Sequence, residues 1–155
     1  MKTGTAKRLA AAAAAFALLA GLTAGCAGRR SDPSALAYVP LDDRPDNVER
    51  AEYLAESLGY DLRMPDAGLY ATRLDGQPLN ESGLPCGDRA ALYEWVLAQE
   101  ESGCDRYVLS LDQLLSGGLV SSRAMTGQRS VTLSDGSSMK ETELLESLLD
   151  TLAAD

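Results

Sequence analysis

The residues best suited to chemistry fall in two short stretches. Tyr38 to Asn47 reads YVPLDDRPDN, and Ser110 to Arg123 reads SLDQLLSGGLVSSR. The first places Asp42, Asp43 and Arg44 between two prolines, and the second supplies Asp112, Gly117, Gly118 and Arg123. Paired carboxylates suit acid–base catalysis, because their mutual repulsion raises one pKa and leaves the other group ionised. Such oxygens also suit Mg²⁺ or Ca²⁺, hard cations that prefer oxygen ligands. Arg44 and Arg123 would orient a substrate, with Gly117 and Gly118 beside them. The diglycine lacks the spacing of a phosphate-binding loop. Purely local roles compete with these: Asp42 or Asp43 can cap a following helix, Arg44 can pair with either, and Asp112 can sit in a turn.

Composition removes several other classes. The chain contains no histidine, which excludes a Ser-His-Asp triad and a His-based zinc site within these residues. Ser110, Ser116, Ser121 and Ser122 have no base to activate them. Nothing signals haem, zinc or a nucleotide, so any cofactor is unassigned apart from the possible Mg²⁺ or Ca²⁺.

The elements that must position these residues can be read from periodicity. Ala35 to Leu41 has the length and apolar character of a strand. Asp46 and Glu49 sit at capping-box spacing ahead of a helix whose stripe is Val48, Ala51, Leu54, Ala55 and Leu58, with Gly59 as its stop. Tyr60 to Met64 reads as a second strand. Asp66 to Gly87 is a long polar excursion, of the kind that is functional or disordered in compact domains. A helix carrying Leu92, Trp95 and Val96 follows, then a third strand at Tyr107 to Leu111. Trp95 and the helical tyrosines fall on apolar stripes and read as core.

This β-α-β-loop-α-β order predicts an α/β fold with a parallel sheet built from βαβ units, either open and doubly wound or a partial barrel. Asp42, Asp43 and Arg44 then follow strand one and Asp112 follows strand three, so all face the carboxyl rim where such folds bind ligands. Arg129 to Leu133 reads as a further strand, and Asp135-Gly136 as a turn. Glu141 to Leu152 is an amphipathic helix, with Ser138 and Glu141 at capping-box spacing. Its face of Leu144, Leu145, Leu148, Leu149 and Leu152 has no later strand to cover it, which suggests an oligomer contact or an incomplete domain.

The N-terminus has the layout of an export signal. Lys2, Lys7 and Arg8 precede an apolar run from Leu9 to Leu22, and Leu-Thr-Ala-Gly-Cys follows. That run falls short of the ~20 residues needed to span a membrane. The sequence around Cys26 resembles the lipobox of bacterial lipoproteins. The resemblance implies cleavage after residue 25, lipidation of Cys26, and a membrane partner reached through that lipid. Residues 26–34 would be the lipidated cysteine and its tether, and 35–155 the domain. Loss of three positive and no negative charges takes the formal charge from −9 to −12. Such a surface excludes nucleic acid as a partner and makes anionic headgroups unattractive. Cys86 and Cys104 flank a helix of about 15 residues, hence ~22 Å long, which keeps them from pairing with each other.

Three segments carry a further resemblance. VPLDDRPDN at Val39 to Asn47, G-D-x-x-A-L-x-x-W-V at Gly87 to Val96 and SLDQLLSGGLVSSR at Ser110 to Arg123 resemble the bacterial domain of unknown function 4127 family. Its members carry VPLDDRPVN and SLDML-x-YGGLV-x-SR. Here Asp46 replaces valine, Gln113 replaces methionine and Ser116 replaces tyrosine, while Asp42, Asp43, Arg44, Asp112 and Arg123 match. The resemblance implies a larger α/β protein, of which this chain is the N-terminal part. It carries no settled activity. The functional expectation is therefore an exported, envelope-anchored protein. Hydrolase-like chemistry on a surface glycan, with Asp42 or Asp43 and Asp112 as acid and base, stands first. Binding of a small molecule, glycan or cation without catalysis is the alternative, and a truncated, non-functional fragment is the third possibility.

Overall fold

The computed structural model describes residues 32–70, 86–123 and 129–154. The expected signal, Cys26 and most of the tether lie outside the described residues, as does most of the polar excursion after Asp66. No helix among the described residues is long and apolar enough to cross a membrane.

Three parallel strands form the main sheet: β1 (Ala35–Val39), β2 (Asp61–Arg63) and β3 (Tyr107–Leu109), in the order β2-β1-β3. The α/β expectation therefore holds, each strand a little shorter than its apolar run. Ala35 pairs with Asp61, and Val39 pairs with Leu109. The first crossover carries α1 (Glu49–Leu58) and leads from β1 to β2; the second carries α2 (Ala67–Tyr70) and α3 (Arg89–Glu101) and returns past β1 to β3. By the right-handed crossover rule, connections running in opposite directions put their helices on opposite faces, the arrangement of a doubly wound sheet. Beyond β3 come α4 (Leu111–Ser116), α5 (Leu119–Ser122), an antiparallel hairpin of β4 (Ser130–Thr132) and β5 (Ser138–Lys140), and α6 (Glu141–Leu152).

The core lies on the α3 side of the sheet. Val39, Leu92, Val96, Leu114, Leu144 and Leu148 are buried together, and each such side chain contributes roughly 1.5–3 kcal/mol relative to exposure. Leu144 and Leu148 belong to α6, so its apolar face is covered in part by α3 and α4 of the same chain. The sequence pattern could not show this, because the covering helices precede α6 by many residues.

Helix starts also differ from the pattern. Val48, not Asp46, occupies the N-cap of α1 and makes no side-chain cap; the turn from Arg44 to Val48 uses backbone bonds instead. Ser138 lies in β5, and Lys140 takes the N-cap of α6, its N–H donating to Glu143 at 2.8 Å. Asp88 caps α3 by accepting from the Ala91 N–H at 3.1 Å. Cys86 and Cys104 lie beyond opposite ends of α3 and are not joined to each other.

Candidate functional site

The strand order makes β1 and β3 neighbours, and the Ser110 N–H donates to the Val39 carbonyl at 3.0 Å just past their last paired residues. Asp42 and Asp112 thus each follow a residue of the same register pair by three positions. The chain leaving β1 runs outward to β2, away from β3, which makes the β1/β3 boundary the switch point where open α/β sheets bind ligands.

Asp42 is buried and fully engaged. Its Oδ1 accepts from the Arg44 N–H at 3.1 Å and the Asn47 amide at 2.6 Å. Oδ2 accepts from Arg44 Nε at 2.8 Å and Nη2 at 2.7 Å. Burial acts to raise its pKa, but the Arg44 and Asn47 hydrogen bonds outweigh it and hold the carboxyl below the usual carboxylate range. Asp42 is therefore an ionised anchor. What it anchors is Arg44, whose side chain is 64% exposed: two of its nitrogens are fixed and the rest of the guanidinium faces outward. The Tyr38 hydroxyl donates to the Asn47 carbonyl at 2.7 Å and completes the turn. Burial, and secondarily the Asp42 charge, raise the pKa of Tyr38.

Asp43 is exposed in this turn. Its charge, with those of Glu52 and Asp66, acts on the buried Tyr70, whose pKa is raised first by burial and then by these carboxylates. Asp66 and Tyr70 were not singled out in the sequence. Asp66 follows Met64-Pro65 at the end of β2, and that strand-end position was the available signal. It starts α2 by accepting from the Gly68 N–H at 2.8 Å.

Asp112 lies in the first turn of α4, behind the N-cap Ser110, whose hydroxyl accepts from the Gln113 N–H at 3.3 Å. Its side chain makes no hydrogen bond or ion pair with a described residue, and none links it to Asp42 or Asp43. It lines a cleft of about 350 Å³ with Leu111, Leu115, Ser122, Glu141 and Leu145. Glu141 is neutralised by Arg89 at 3.1 Å, which also donates to the carbonyls of Leu115 at 3.0 Å and Ser130 at 3.2 Å. This half-buried arginine fastens α3, α4, β4 and α6 around the cleft.

Gly117 and Gly118 end α4. Gly117 has a left-handed φ of 77°, and a Cβ there would lie 3.0 Å from the Gly87 carbonyl. Both glycines are buried, and their N–H groups donate to the carbonyls of Gln113 and Asp112. Arg123 is exposed at the end of α5. Between these parts sits Gln113, fully buried, with neither Oε1 nor Nε2 hydrogen-bonded to a described residue. Among the described residues no cluster of three or more carboxylates or thiols could hold a metal ion.

Comparison with curated proteins and with solved structures returns no match. The family model described as "Protein of unknown function (DUF4127)" matches residues 36–146, spanning both motifs, the sheet and the first half of α6. The chain belongs to the DUF4127 family.

Proposed function

We propose that this chain is an exported lipoprotein, anchored through Cys26, that binds a hydroxyl-rich ligand such as a surface glycan at the β1/β3 switch point. The observation that carries the reading is the Asp42–Arg44–Asn47 clamp. It holds an exposed guanidinium at the crevice with little freedom left to lose on binding, which is preorganisation. The surrounding carboxylates of Asp43 and Asp66 repel anions and accept hydrogen bonds from sugar hydroxyls. The cleft lined by Asp112, which follows the neighbouring strand end, has the size of a small-ligand site. Calorimetric titration with glycan fragments, with and without Mg²⁺ or Ca²⁺, tests this. Binding should weaken at least tenfold in Arg44→Met, corresponding to about 1.4 kcal/mol for loss of a charged hydrogen-bonding group. Unchanged affinity in that variant would remove Arg44 from the site.

A hydrolytic reading has its own support in Asp112, a carboxylate that no described residue engages, on the wall of a cleft. On this reading Asp112 is the acid or base, and Asp42 is a positioning residue because its carboxylate is already consumed. Product release from a glycan by the wild type, abolished in Asp112→Asn with ligand affinity kept, would favour chemistry over binding alone.

A further inference from the structure

The end of the sheet opposite the rim is unusually well tied to the residues that follow Cys26. The Asp32 N–H donates to the Gly103 carbonyl at 2.9 Å, and Arg63 Nη2 donates to the Asp32 carboxylate at 2.9 Å. The Asp61 N–H donates to the Ser34 carbonyl at 2.8 Å, and Arg106 donates to the Pro33 carbonyl. Residues 32–34, expected as tether, are instead part of the folded body at the amino ends of β1, β2 and β3. Asp32 follows Cys26 by six positions, a reach of at most about 20 Å when fully extended. Given an acylated Cys26, this end of the domain is held close to the lipid surface.

The same end carries apolar side chains that the core does not use. The last two turns of α1 expose Leu54 at 56% and Leu58 at 71%, on one helix face four residues apart. Gly59 stops the helix in a left-handed conformation, and Tyr60, 37% exposed, precedes β2. The sequence pattern assigns Leu54 and Leu58 to the buried stripe of α1, yet of that helix only Ala55 is buried. Tyrosine beside leucine is the pairing favoured at a membrane–water interface, where the ring is apolar and the hydroxyl stays wet.

We propose that Leu54, Leu58 and Tyr60 form a membrane-contact patch that seats in the headgroup layer beside the acyl chains of Cys26 and turns the strand-end rim away from the lipid. A tether of this reach would by itself allow the domain to lie on any side. The patch selects one. Glu56 and Asp61, both exposed among these residues, make neutral zwitterionic headgroups the fitting surface rather than anionic ones. The rim then stands beyond the sheet, about 17 Å further out for a five-residue strand, open to ligands outside the membrane.

The inference rests on the lipoprotein reading, and the test separates the two. The full chain is produced with its own N-terminus, and mass spectrometry of the mature N-terminal peptide establishes acylation first. The acylated protein is then placed in phosphatidylcholine vesicles with brominated acyl chains, with the wild type, whose Trp95 packs against the core, as background. Emission from Tyr60→Trp should be quenched, while emission from Asp43→Trp should not. The quenching should be lost when Leu54→Ser and Leu58→Ser are added, with circular dichroism unchanged. An acylated protein in which Tyr60→Trp is unquenched, or in which both reporters are quenched alike, overturns the patch. An N-terminus that is not acylated overturns the lipoprotein reading and the patch with it.

Discussion

Replacing Gln113 with methionine should stabilise the protein. Gln113 is fully buried, and both polar atoms of its amide lack a hydrogen-bond partner among the described residues. A buried donor or acceptor left unmade costs about 1–3 kcal/mol. Methionine fills nearly the same space with the same flexibility, so Gln113→Met keeps the packing and removes the unmet amide. Its gain should be about 1–2 kcal/mol, or a rise in Tm of roughly 3–8 °C for a domain of this size. Urea unfolding followed by circular dichroism measures it, with an unchanged m-value showing that the denatured state is not the cause. The neighbouring backbone supplies a control. A Cβ at Gly87 would lie 1.7 Å from Gln113 Nε2 and 3.1 Å from the Leu69 carbonyl, so Gly87→Ala should destabilise by about 1–3 kcal/mol through overpacking. A loss of stability of 1 kcal/mol or more in Gln113→Met would refute the reasoning, because the amide would then have to be satisfied by a buried water.

Three further outcomes follow from the same geometry. Asp42→Ala should cost about 1.5–3 kcal/mol, since it removes hydrogen bonds to a charged acceptor. Because the folded pKa of Asp42 is depressed, its contribution is present above the unfolded value and is lost as pH falls through the folded value; the variant should therefore show a flatter acid limb in a stability–pH series. Arg89→Met leaves the Glu141 carboxylate, 7% exposed, without its cation, and should cost about 3–5 kcal/mol by chemical denaturation. Asp112→Asn, by contrast, removes no hydrogen bond to a described residue and should change stability by less than about 0.5 kcal/mol, so any loss of ligand turnover in it reports function rather than unfolding.

Much of this architecture was legible locally. The apolar run before Asp42, the run before Asp112 and the intervening helices fix a parallel βαβ order, because right-handed crossovers leave few alternatives. The partners of Asp42 were legible too: Arg44 and Asn47 lie within five residues, where turn geometry alone can bring them together. The amphipathic face of α1 misled, because periodicity shows which side chains share a face and not whether another element covers it.

The sequence by itself determined that two acidic strand ends share one rim, since side-chain type and strand polarity are properties of the chain. Only the tertiary structure decided what each carboxylate does. Strand order β2-β1-β3 set the two ends beside each other, yet the turn after β1 engaged Asp42 with Arg44, while α4 carried Asp112 to a cleft walled by Glu141 and Leu145. The same packing buried Gln113 against Gly87 and left Leu54 and Leu58 outside. Those outcomes depend on contacts between residues tens of positions apart. No local propensity encodes them, because their free energy exists only once the elements have packed.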